Sequence, residues 1–412
     1  MKLLVCHEFY RQFGGEDQSF LDEVALLRLN GHEVVEYTRH NDEITHGNRL
    51  GTAVRSIWNR GVYRELRALI RRERPEIMHC TNIFPLISPA AYQAAHDESV
   101  PIVQALRNYR LICPSATLMR DGGVCESCVD KLFAWPAVRH ACYQNSRMGS
   151  AVIASMLAIH NLKGTWRRID RFYTPSQFAR NVFIRMGMPA DRIDVKPNSV
   201  IPDPGPGPGD GGYALFVGRL SPEKGISILL NAWAQLAEDV ALRIVGDGPC
   251  RGLVEEAAAR DARVTFLGEQ PRERVMEQLR GAACLVMPSV WYETFGRTIV
   301  EAYAAGTPVV ASRLGTMEEL VVHQKTGLLF EAGSASALAQ AVCELCRRSD
   351  LRDMRQQARR EFEDKYTAEK SYRRLISIYE RTIGKRSYDQ CAEAAPVATV
   401  RPASLCSPLK PT

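Results

Sequence analysis

The residues best suited to chemistry lie in one segment, 288–306, which reads PSVWYETFGRTIVEAYAAG. The apolar run before it predicts a buried strand, and residues 298–305 repeat their apolar positions at helical spacing. The loop between them, with Glu293 and Gly296, lies where open α/β sheets bind ligands and where free N–H groups suit phosphate oxygens. Glu301 follows about two helical turns later, so the two carboxylates could hold opposite ends of one extended ligand. By themselves they fit a helix cap and a surface carboxylate equally well.

A second segment, FVGRLSPEKG at 216–225, supplies two permanent cations. A predicted strand ends at Gly218, and Arg219 and Lys224 follow it near the start of the next helix. Either residue alone would be an ordinary surface cation. As a pair that follows a strand, they favour a role in binding phosphate.

Together these residues resemble the family-4 retaining glycosyltransferases of the GT-B fold, and the resemblance extends to about residue 380. Four motifs occur in the family's order, namely GR…KG at 218–225, GDGP at 246–249, FLG at 266–268 and ETFG…E at 293–301. The resemblance implies two Rossmann-like, doubly wound parallel-sheet domains that face a central cleft. It also implies transfer of a sugar from a nucleotide-diphosphate donor with retention of configuration, through front-side attack in which the leaving diphosphate takes the acceptor's proton.

The resemblance assigns roles to individual residues. Glu301 would bind the ribose hydroxyls of the nucleotide, Glu293 would lie near the hydroxyls of the transferred sugar, and the segment around Gly268 would border the base. The donor-binding candidates are Gly15, Gly268, Phe295, Gly296, Arg297, Thr298 and Glu301.

A diphosphate leaving group needs stabilisation by a divalent ion or by fixed cations together with a helix amino terminus. No Asp-x-Asp pair occurs in the sequence, whereas Arg219, Lys224 and the backbone of 295–298 provide the second arrangement. The sequence therefore predicts catalysis without a metal and without another cofactor.

One departure from the family concerns the strand predicted at 101–106. Many family members place a histidine after it, which contacts the donor sugar, and this chain has Arg107 there. His79, at the end of its own strand, is another cleft candidate, although a packed strand-end histidine is equally consistent. The catalytic candidates are Glu293, Arg219, Lys224, His79 and Arg107.

The elements that must position these residues follow from the length and the alternation of strands and helices. A chain of 412 residues exceeds one ordinary core, which predicts two domains. The prediction is an acceptor-side domain at 1–200, a Pro/Gly linker at 201–212, a nucleotide-sugar domain at 213–369, a helix at 370–383 that returns to the first domain, and a disordered tail at 384–412.

Residues 107–151 interrupt the first domain with four cysteines in the spacing C-x11-C-x2-C-x13-C. Four thiolates with a Cys-x2-Cys turn are typical of structural zinc, and a labile dithiol or plain free thiols are the alternatives. The candidate ligands are Cys113, Cys125, Cys128 and Cys142. The flanking NYRLICP at 108–114 and CYQNSR at 142–147 resemble an insertion of a bacterial subgroup of the family, which leaves the metal open.

The composition adds expectations about location and partners. No signal peptide and no apolar run of membrane-helix length is evident, so we expect a cytoplasmic protein whose cysteines are thiols or metal ligands. The net charge is +6, and basic residues concentrate at 55–74 and 139–171. These stretches are solvated helix faces or sites of attraction to an anionic membrane surface or a phosphorylated acceptor. No nucleic-acid partner is predicted.

The function predicted from all of this is sugar transfer from a nucleotide-diphosphate sugar to a glycan or lipid-linked glycan acceptor in cell-surface polysaccharide biosynthesis. A nucleotide-sugar epimerase of the same fold is one alternative, and it would lack the E-x-F-G-x4-E loop. The other is a non-catalytic nucleotide-sugar-binding scaffold, which has no need for Arg219, Lys224, Glu293 and Glu301 together.

Overall fold

The computed structural model describes residues 1–44, 49–237 and 240–394. It contains two six-stranded sheets whose strands are all parallel, and one short antiparallel hairpin. The sheets consist of short strands rich in Val, Ile and Leu, and helices lie between successive strands. Such crossover helices cover the faces of a parallel sheet and make it stable. The prediction of two Rossmann-like domains is therefore confirmed.

The first sheet has the strand order β2-β1-β3-β4-β7-β8. Its strands and the hairpin strands β5 and β6 are β1 Lys2–Phe9, β2 Glu33–His40, β3 Ile77–Cys80, β4 Ile102–Ala105, β5 Met119–Arg120, β6 Gly123–Val124, β7 Arg171–Thr174 and β8 Ile193–Val195. The helices around it are α1 Gly15–Leu29, α2 Arg49–Ile57, α3 Arg60–Glu73, α4 Ala90–Asp97, α5 Trp135–Arg139, α6 Arg147–Leu162 and α7 Gln177–Arg185.

The second sheet has the order β11-β10-β9-β12-β13-β14. Its strands are β9 Tyr213–Val217, β10 Ala241–Val245, β11 Val264–Gly268, β12 Cys284–Met287, β13 Val309–Ser312 and β14 Gly327–Phe330. Its helices and the helices that follow are α8 Ile226–Gln235, α9 Arg251–Arg260, α10 Arg272–Gly281, α11 Arg297–Ala304, α12 Thr316–Leu320, α13 Ala335–Cys346, α14 Leu351–Lys365 and α15 Ala368–Ala394.

The strand orders locate the ligand crevices. In each sheet the first strand of the domain lies inside the sheet, and the chain moves first to one side of it and then to the other. Ligands bind at the carboxyl ends of the strands where this direction reverses. In the second domain that point lies between β9 and β12, and the loops that follow these two strands carry the predicted chemistry.

The segment between the domains, 201–212, packs along the second domain. The backbone N–H of Gly207 donates to Ala305 O at 2.9 Å, and that of Gly209 donates to Arg280 O at 3.0 Å. A Cβ at Gly207 would lie 2.3 Å from Arg280 O, so this close approach requires glycine. The residues predicted as a linker are thus held by backbone hydrogen bonds.

Helix α15 completes the core of the first domain although it follows the second. Its residues Leu375, Ile378 and Tyr379 are buried in one cluster with Phe20 of α1 and Tyr173 of β7. The helix reaches Ala394, beyond the end predicted at residue 383. Residues 384–394 contain no proline, which explains the longer helix, and the first proline beyond them is Pro396. The remainder of the predicted tail, 395–412, lies outside the described residues.

Two further elements differ from the sequence-based expectations. The predicted insertion at 107–151 overlaps the long helix α6, and strand β14 at the edge of the second sheet had no predicted counterpart. Within the described ranges no helix is both long enough and apolar enough to cross a membrane.

Candidate active site

The loops after β9 and β12 touch at the carboxyl end of the second sheet. The backbone N–H of Val290 donates to Glu223 O at 3.0 Å. Gly225 has φ +73°, and a Cβ there would lie 2.0 Å from Pro288 O. Only glycine fits both conditions, so Gly225 sets the distance between the two loops.

This contact brings Lys224 and Glu293 together. The Lys224 ammonium lies 2.6 Å from Glu293 Oε1, and the Ser289 hydroxyl donates to the same oxygen at 2.9 Å. Glu293 is 6% exposed, whereas about a fifth of the Lys224 side-chain surface is exposed to solvent, so the cation is the more accessible partner. The Lys224 ammonium also lies 5.5 Å from the centre of the Trp291 ring.

Arg219 lies on the open side of the same crevice. Its guanidinium donates to Glu223 Oε1 at 2.7 Å, and half of its side-chain surface is exposed. The Ser221 hydroxyl donates to the same carboxylate oxygen at 2.7 Å. Because an ion pair with so exposed an arginine is weak, Glu223 holds the Arg219 guanidinium only loosely.

Helix α11 begins directly after the loop, with Gly296 as its N-cap residue. A Cβ at Gly296 would lie 2.7 Å from Ile299 Cδ1, so a side chain there would require the Ile299 side chain to shift. Phe295 is buried and its ring lies 6.3 Å from that of Tyr366, which fixes the loop in the core. The part of Phe295 that can face a ligand is therefore its backbone. Thr298, in the first turn, is half-buried.

Arg297 crosses the cleft from the first turn of α11. Its guanidinium pairs with Glu301 at 2.9 Å on its own helix and with Asp22 of α1 at 2.6 Å. Arg272 pairs with the other oxygen of Asp22 at 3.1 Å. Burial lowers the pKa of Arg297, but Glu301 and Asp22 outweigh burial and the net shift is upward.

The remaining donor candidates lie at two places around this crevice. Gly15 starts α1 across the cleft, and a Cβ on it would lie 4.0 Å from Arg297 Cδ, an ordinary contact. Gly268 ends β11, two strands away from β9, with φ +66° and open space around it. The structure thus gathers Lys224, Glu293, Arg297 and Glu301 around the crevice and places Gly268 at its far end.

Arg107 contributes its backbone to the cleft and its side chain to the protein interior. Its carbonyl oxygen accepts from the Thr294 hydroxyl at 2.7 Å, next to Glu293. Its guanidinium pairs with buried Glu23 at 2.7 Å and donates to Asn198 Oδ1 at 2.7 Å. Burial raises the pKa of Glu23, but the positive charges of Arg107 and Lys196 lower it by more, so the net shift of this pKa is downward.

His79 belongs to the same buried network. It is fully buried, with Nε2 3.0 Å from the Tyr173 hydroxyl and Nδ1 2.8 Å from the Tyr379 hydroxyl of α15. Burial lowers the pKa of His79 to about 4, which keeps the ring neutral. The structure thus places His79 in the interior, as in the alternative of a packed strand-end histidine. It does not bring His79 to the loop after β12 that carries Glu293.

Sequence reasoning missed several residues of the first domain that face the cleft. Asp22 meets Arg297, and Asn108 donates to both carboxylate oxygens of Glu16 at 3.1 and 3.0 Å. Burial raises the pKa of Glu16. The available signal was the set of acids on α1, because a helix that buries Asp17, Asp22 and Glu23 must supply them with partners.

The four cysteines of the insertion converge on one small cavity. The cavity is lined by Cys113, Cys125, Cys128 and Cys142 together with Ser115, Leu118, Met119, Arg120, Pro136 and Ala137. All four cysteines are free thiols. Across residues 1–44, 49–237 and 240–394, no three His, Cys, Asp or Glu side chains already stand as a metal-ligand set.

Two family models match successive parts of the chain. Residues 14–199 match the family described as "Glycosyl transferase 4-like domain", and residues 211–348 match "Glycosyl transferases group 1". A phosphatidyl-myo-inositol mannosyltransferase of Mycobacterium leprae is 34% identical over 186 residues, which are 44% of this chain and 50% of the relative. A D-inositol 3-phosphate glycosyltransferase of Mycobacteroides abscessus is 38% identical over 144 residues, or 33% of this chain and 32% of the relative. The alignments thus span half or less of these relatives.

Solved structures share the fold over almost the whole chain. Sucrose-phosphate synthase from Thermosynechococcus elongatus has a TM-score of 0.66 at 18% identity and covers 96% of this chain and 100% of its own. HepE of Anabaena in complex with UDP has a TM-score of 0.64 at 19% identity and covers 94% of this chain and 100% of its own. These likenesses confirm the GT-B fold. Both matched descriptions are of glycosyl transferases, and the two matched segments follow one another along the chain.

Proposed function

We propose that this protein is a retaining glycosyltransferase that transfers a hexose or related sugar from a nucleotide-diphosphate donor to a glycan or lipid-linked glycan acceptor. The observation that carries the proposal is the pairing of Lys224 with Glu293, 2.6 Å apart, beside the start of α11 and at the point where the strand order reverses. A phosphate group at this point would meet a cation and free backbone N–H groups together.

The proposed chemistry depends on stabilising the leaving diphosphate. The bond from the sugar's anomeric carbon to the diphosphate oxygen breaks, and the acceptor oxygen forms its bond on the same face. The acceptor's proton passes to a diphosphate oxygen. The negative charge that develops on the diphosphate would be stabilised by Lys224, Arg219 and the N-terminus of α11. Electrostatic stabilisation of this kind is usually the largest single contribution of an enzyme to such a step. We propose that these fixed charges serve without a catalytic metal.

Glu293 and Glu301 divide the rest of the donor in this proposal. Glu301 is held in place by Arg297 at 2.9 Å and would accept hydrogen bonds from the ribose hydroxyls. Glu293 is held through Oε1 by Lys224 and Ser289 and would accept from the hydroxyls of the transferred sugar. Both carboxylates are nearly buried. A sugar hydroxyl that donates to one of them would therefore replace its hydrogen bond to water with a stronger bond to a charged acceptor.

The acceptor would bind on the side of the first domain. If the acceptor is lipid-linked, this domain would meet it at a membrane surface. Helix α2 exposes Val54 and Arg55, Trp58 follows it with 37% of its surface exposed, and α3 exposes Arg60 and Arg64. Exposed apolar and basic residues on adjacent helices suit the interface of an anionic bilayer. Cosedimentation with vesicles rich in phosphatidylglycerol should fall in Arg60→Glu/Arg64→Glu and should be unchanged with phosphatidylcholine alone. Equal cosedimentation of wild type and variant would remove membrane contact from the proposal.

A thermal-shift panel of UDP-, GDP-, ADP- and TDP-sugars, with and without EDTA, tests the donor site. A true donor raises the melting temperature because it binds only the folded state. The shift should persist in EDTA and be lost in Arg219→Ala. The matched control is Arg260→Ala, because Arg260 is also exposed and also pairs with a glutamate four residues away, on a helix that follows a different strand. If no nucleotide sugar shifts the wild type, the donor site is refuted.

Turnover then separates an enzyme from the scaffold alternative. Glu293→Ala should abolish sugar transfer to an added acceptor extract while the protein remains folded. If this variant and the wild type show the same absence of transfer but both bind a nucleotide sugar, the scaffold is the better description.

A further inference from the structure

The insertion that follows β4 brings four cysteines from three separate segments, around 113, 125–128 and 142, to one place. Cys113 lies in a turn closed by its N–H on Tyr109 O at 2.8 Å. Cys125 follows the β5–β6 hairpin and donates its N–H to Leu118 O at 2.7 Å. Cys142 follows α5 and donates to Ala137 O at 3.0 Å. Together with Cys128, two positions beyond the turn residue Glu126, these cysteines line one cavity.

Ordinary packing does not account for this arrangement. The core cluster next to the cavity has only three buried side chains, all alanines, and four partly buried ones packed against them: Ala134, Ala137 and Ala154, with Cys128, Phe133, Val138 and Cys142. Burying an alanine contributes little, because the hydrophobic effect scales with apolar area. The hairpin strands of the insertion have only two residues each, so they contribute few backbone hydrogen bonds. A segment with so small a core needs another source of stability.

We propose that Cys113, Cys125, Cys128 and Cys142 bind one structural Zn²⁺ ion in the cavity that they line. Four thiolates are the donor set of closed tetrahedral zinc sites, and the Cys-x2-Cys turn is the usual way to present two of them. Each thiol loses its proton to solvent when the ion binds, so four Zn–S bonds replace four S–H bonds. The four thiols line the cavity but do not stand as a ready ligand set in the described part of the chain, so binding would require them to move closer together.

The charge of such a site agrees with its lining. Four thiolates and Zn²⁺ carry a net charge of about −2, which is costly to bury without a cation nearby. Arg120 lines the cavity and would offset part of this charge, although its guanidinium also pairs with the exposed Asp121 at 3.1 Å. The site is independent of the donor crevice, and the proposed transferase activity is not needed for it.

Metal would also stabilise one edge of the cleft. The insertion begins at Asn108, which bonds Glu16 of α1, and Glu126 between the middle two cysteines pairs with Arg185 of α7 at 3.0 Å. Helix α7 in turn reaches the second domain, because the N–H groups of Gln177 and Phe178 donate to Glu319 at 2.9 and 2.6 Å. Loss of the ion would loosen the insertion and the contacts that depend on it.

Metal analysis of the full-length protein, purified without chelator, tests the proposal. We expect about one zinc per chain, and a loss of at least tenfold in Cys125→Ser and in Cys128→Ser. The exposed residue Cys346 provides the control, since Cys346→Ser should retain the zinc. Cys128→His should retain it as well, because imidazole is also a zinc ligand, whereas a purely structural role for the thiol would not distinguish His from Ser in metal content.

Cobalt substitution of the wild type keeps the proposal testable if the serine variants do not fold. Co²⁺ in a four-thiolate site should give the intense visible absorption of tetrahedral coordination and a thiolate charge-transfer band, and zinc should displace it. Zinc-free wild-type protein that also fails to give this spectrum would overturn the proposal. A bound iron–sulfur chromophore, or a disulfide among the four cysteines in protein kept under reducing conditions, would overturn it too.

Discussion

Arg297 Nη2 lies 2.6 Å from Asp22 Oδ2, so helix α11 of the second domain is ion-paired to helix α1 of the first domain. The pair is nearly buried, with about a tenth of each side chain exposed. It therefore joins the two domains across the cleft and neutralises a cation in the first turn of α11. This links the arrangement of the two domains to the electrostatics of the site.

Asp22→Asn should destabilise the closed arrangement. The substitution leaves Arg297 and Arg272 without their shared carboxylate, and removal of one partner of a buried pair costs about 3 kcal/mol. We expect a lower denaturation midpoint and a larger radius of gyration by small-angle X-ray scattering. Asp42→Asn is the control, because Asp42 is 70% exposed and lies 3.9 Å from Arg11. Equal effects of the two substitutions would contradict the role assigned to Asp22.

Lys224→Ala should lower kcat once a donor and an acceptor are known. Removing one group that stabilises charge in the transition state typically costs about 100- to 1,000-fold, or about 3–4 kcal/mol. Steady-state kinetics should show the loss mainly in kcat. Lys365→Ala, which removes an exposed lysine from an i,i+4 pair with Glu361, should leave the rate unchanged. A change in KM alone would mean that Lys224 serves only binding.

Glu8 should make stability depend on pH. It is fully buried, its Oε2 accepts from the N–H groups of Leu86 and Ile87, and its Oε1 has no partner within the described part of the chain. Burial raises the pKa of Glu8 from 4.5 to about 8, against the two N–H donors, with a small upward contribution from Glu43 and a small downward one from Arg39.

The sign follows from this shift. Between pH 4.5 and about 8 the folded state holds a proton that the unfolded state has released, so stability falls as the pH rises through this window. The slope should be about 1.4 kcal/mol per pH unit at most. Glu8→Gln should flatten the curve of urea midpoint against pH, and Glu256→Gln, at an exposed carboxylate, should not. A wild-type curve that is already flat over this range would refute the prediction.

Tyr379→Phe should destabilise the first domain although the residue follows the second. The substitution leaves His79 Nδ1 buried without its hydrogen-bond partner, which costs about 1–2 kcal/mol. Tyr372→Phe removes a similar bond to His32 in a partly buried position and should cost less. Guanidinium unfolding of both variants measures the difference. The reverse order would argue against a buried role for His79.

The sequence could predict that the loops after β9 and β12 lie together, because local patterns determine where strands end. Each buried strand ends at a loop, and parallel strands bring the loops that follow their carboxyl ends to one edge of the sheet. Arg219, Lys224 and Glu293 could therefore be placed in one crevice before the structure was known. The contact between Lys224 and Glu293 was not predicted, since it joins two loops whose separation depends on the close approach of Gly225 to Pro288.

The sequence predicted the opposite side less well because its contacts join distant parts of the chain. Asp22 reads as one of several acids on α1, and nothing in its spacing points to Arg297. His79 at a strand end fits a cleft group and a packed group equally, and the difference depends on Tyr379 in the last helix. Long-range packing of this kind leaves no periodic pattern in the residues around either partner.

The position of α15 also has a consequence for the order of folding during synthesis. The first domain leaves the ribosome without the helix that covers Phe20 and Tyr173, and the whole second domain is made before that helix appears. Until then an apolar surface on the first sheet stays open, and His79 lacks the Tyr379 hydroxyl. The amino-terminal half therefore reaches its native core only after the carboxyl-terminal half has been made, so a chain that stalls late in translation exposes the earliest part of the protein.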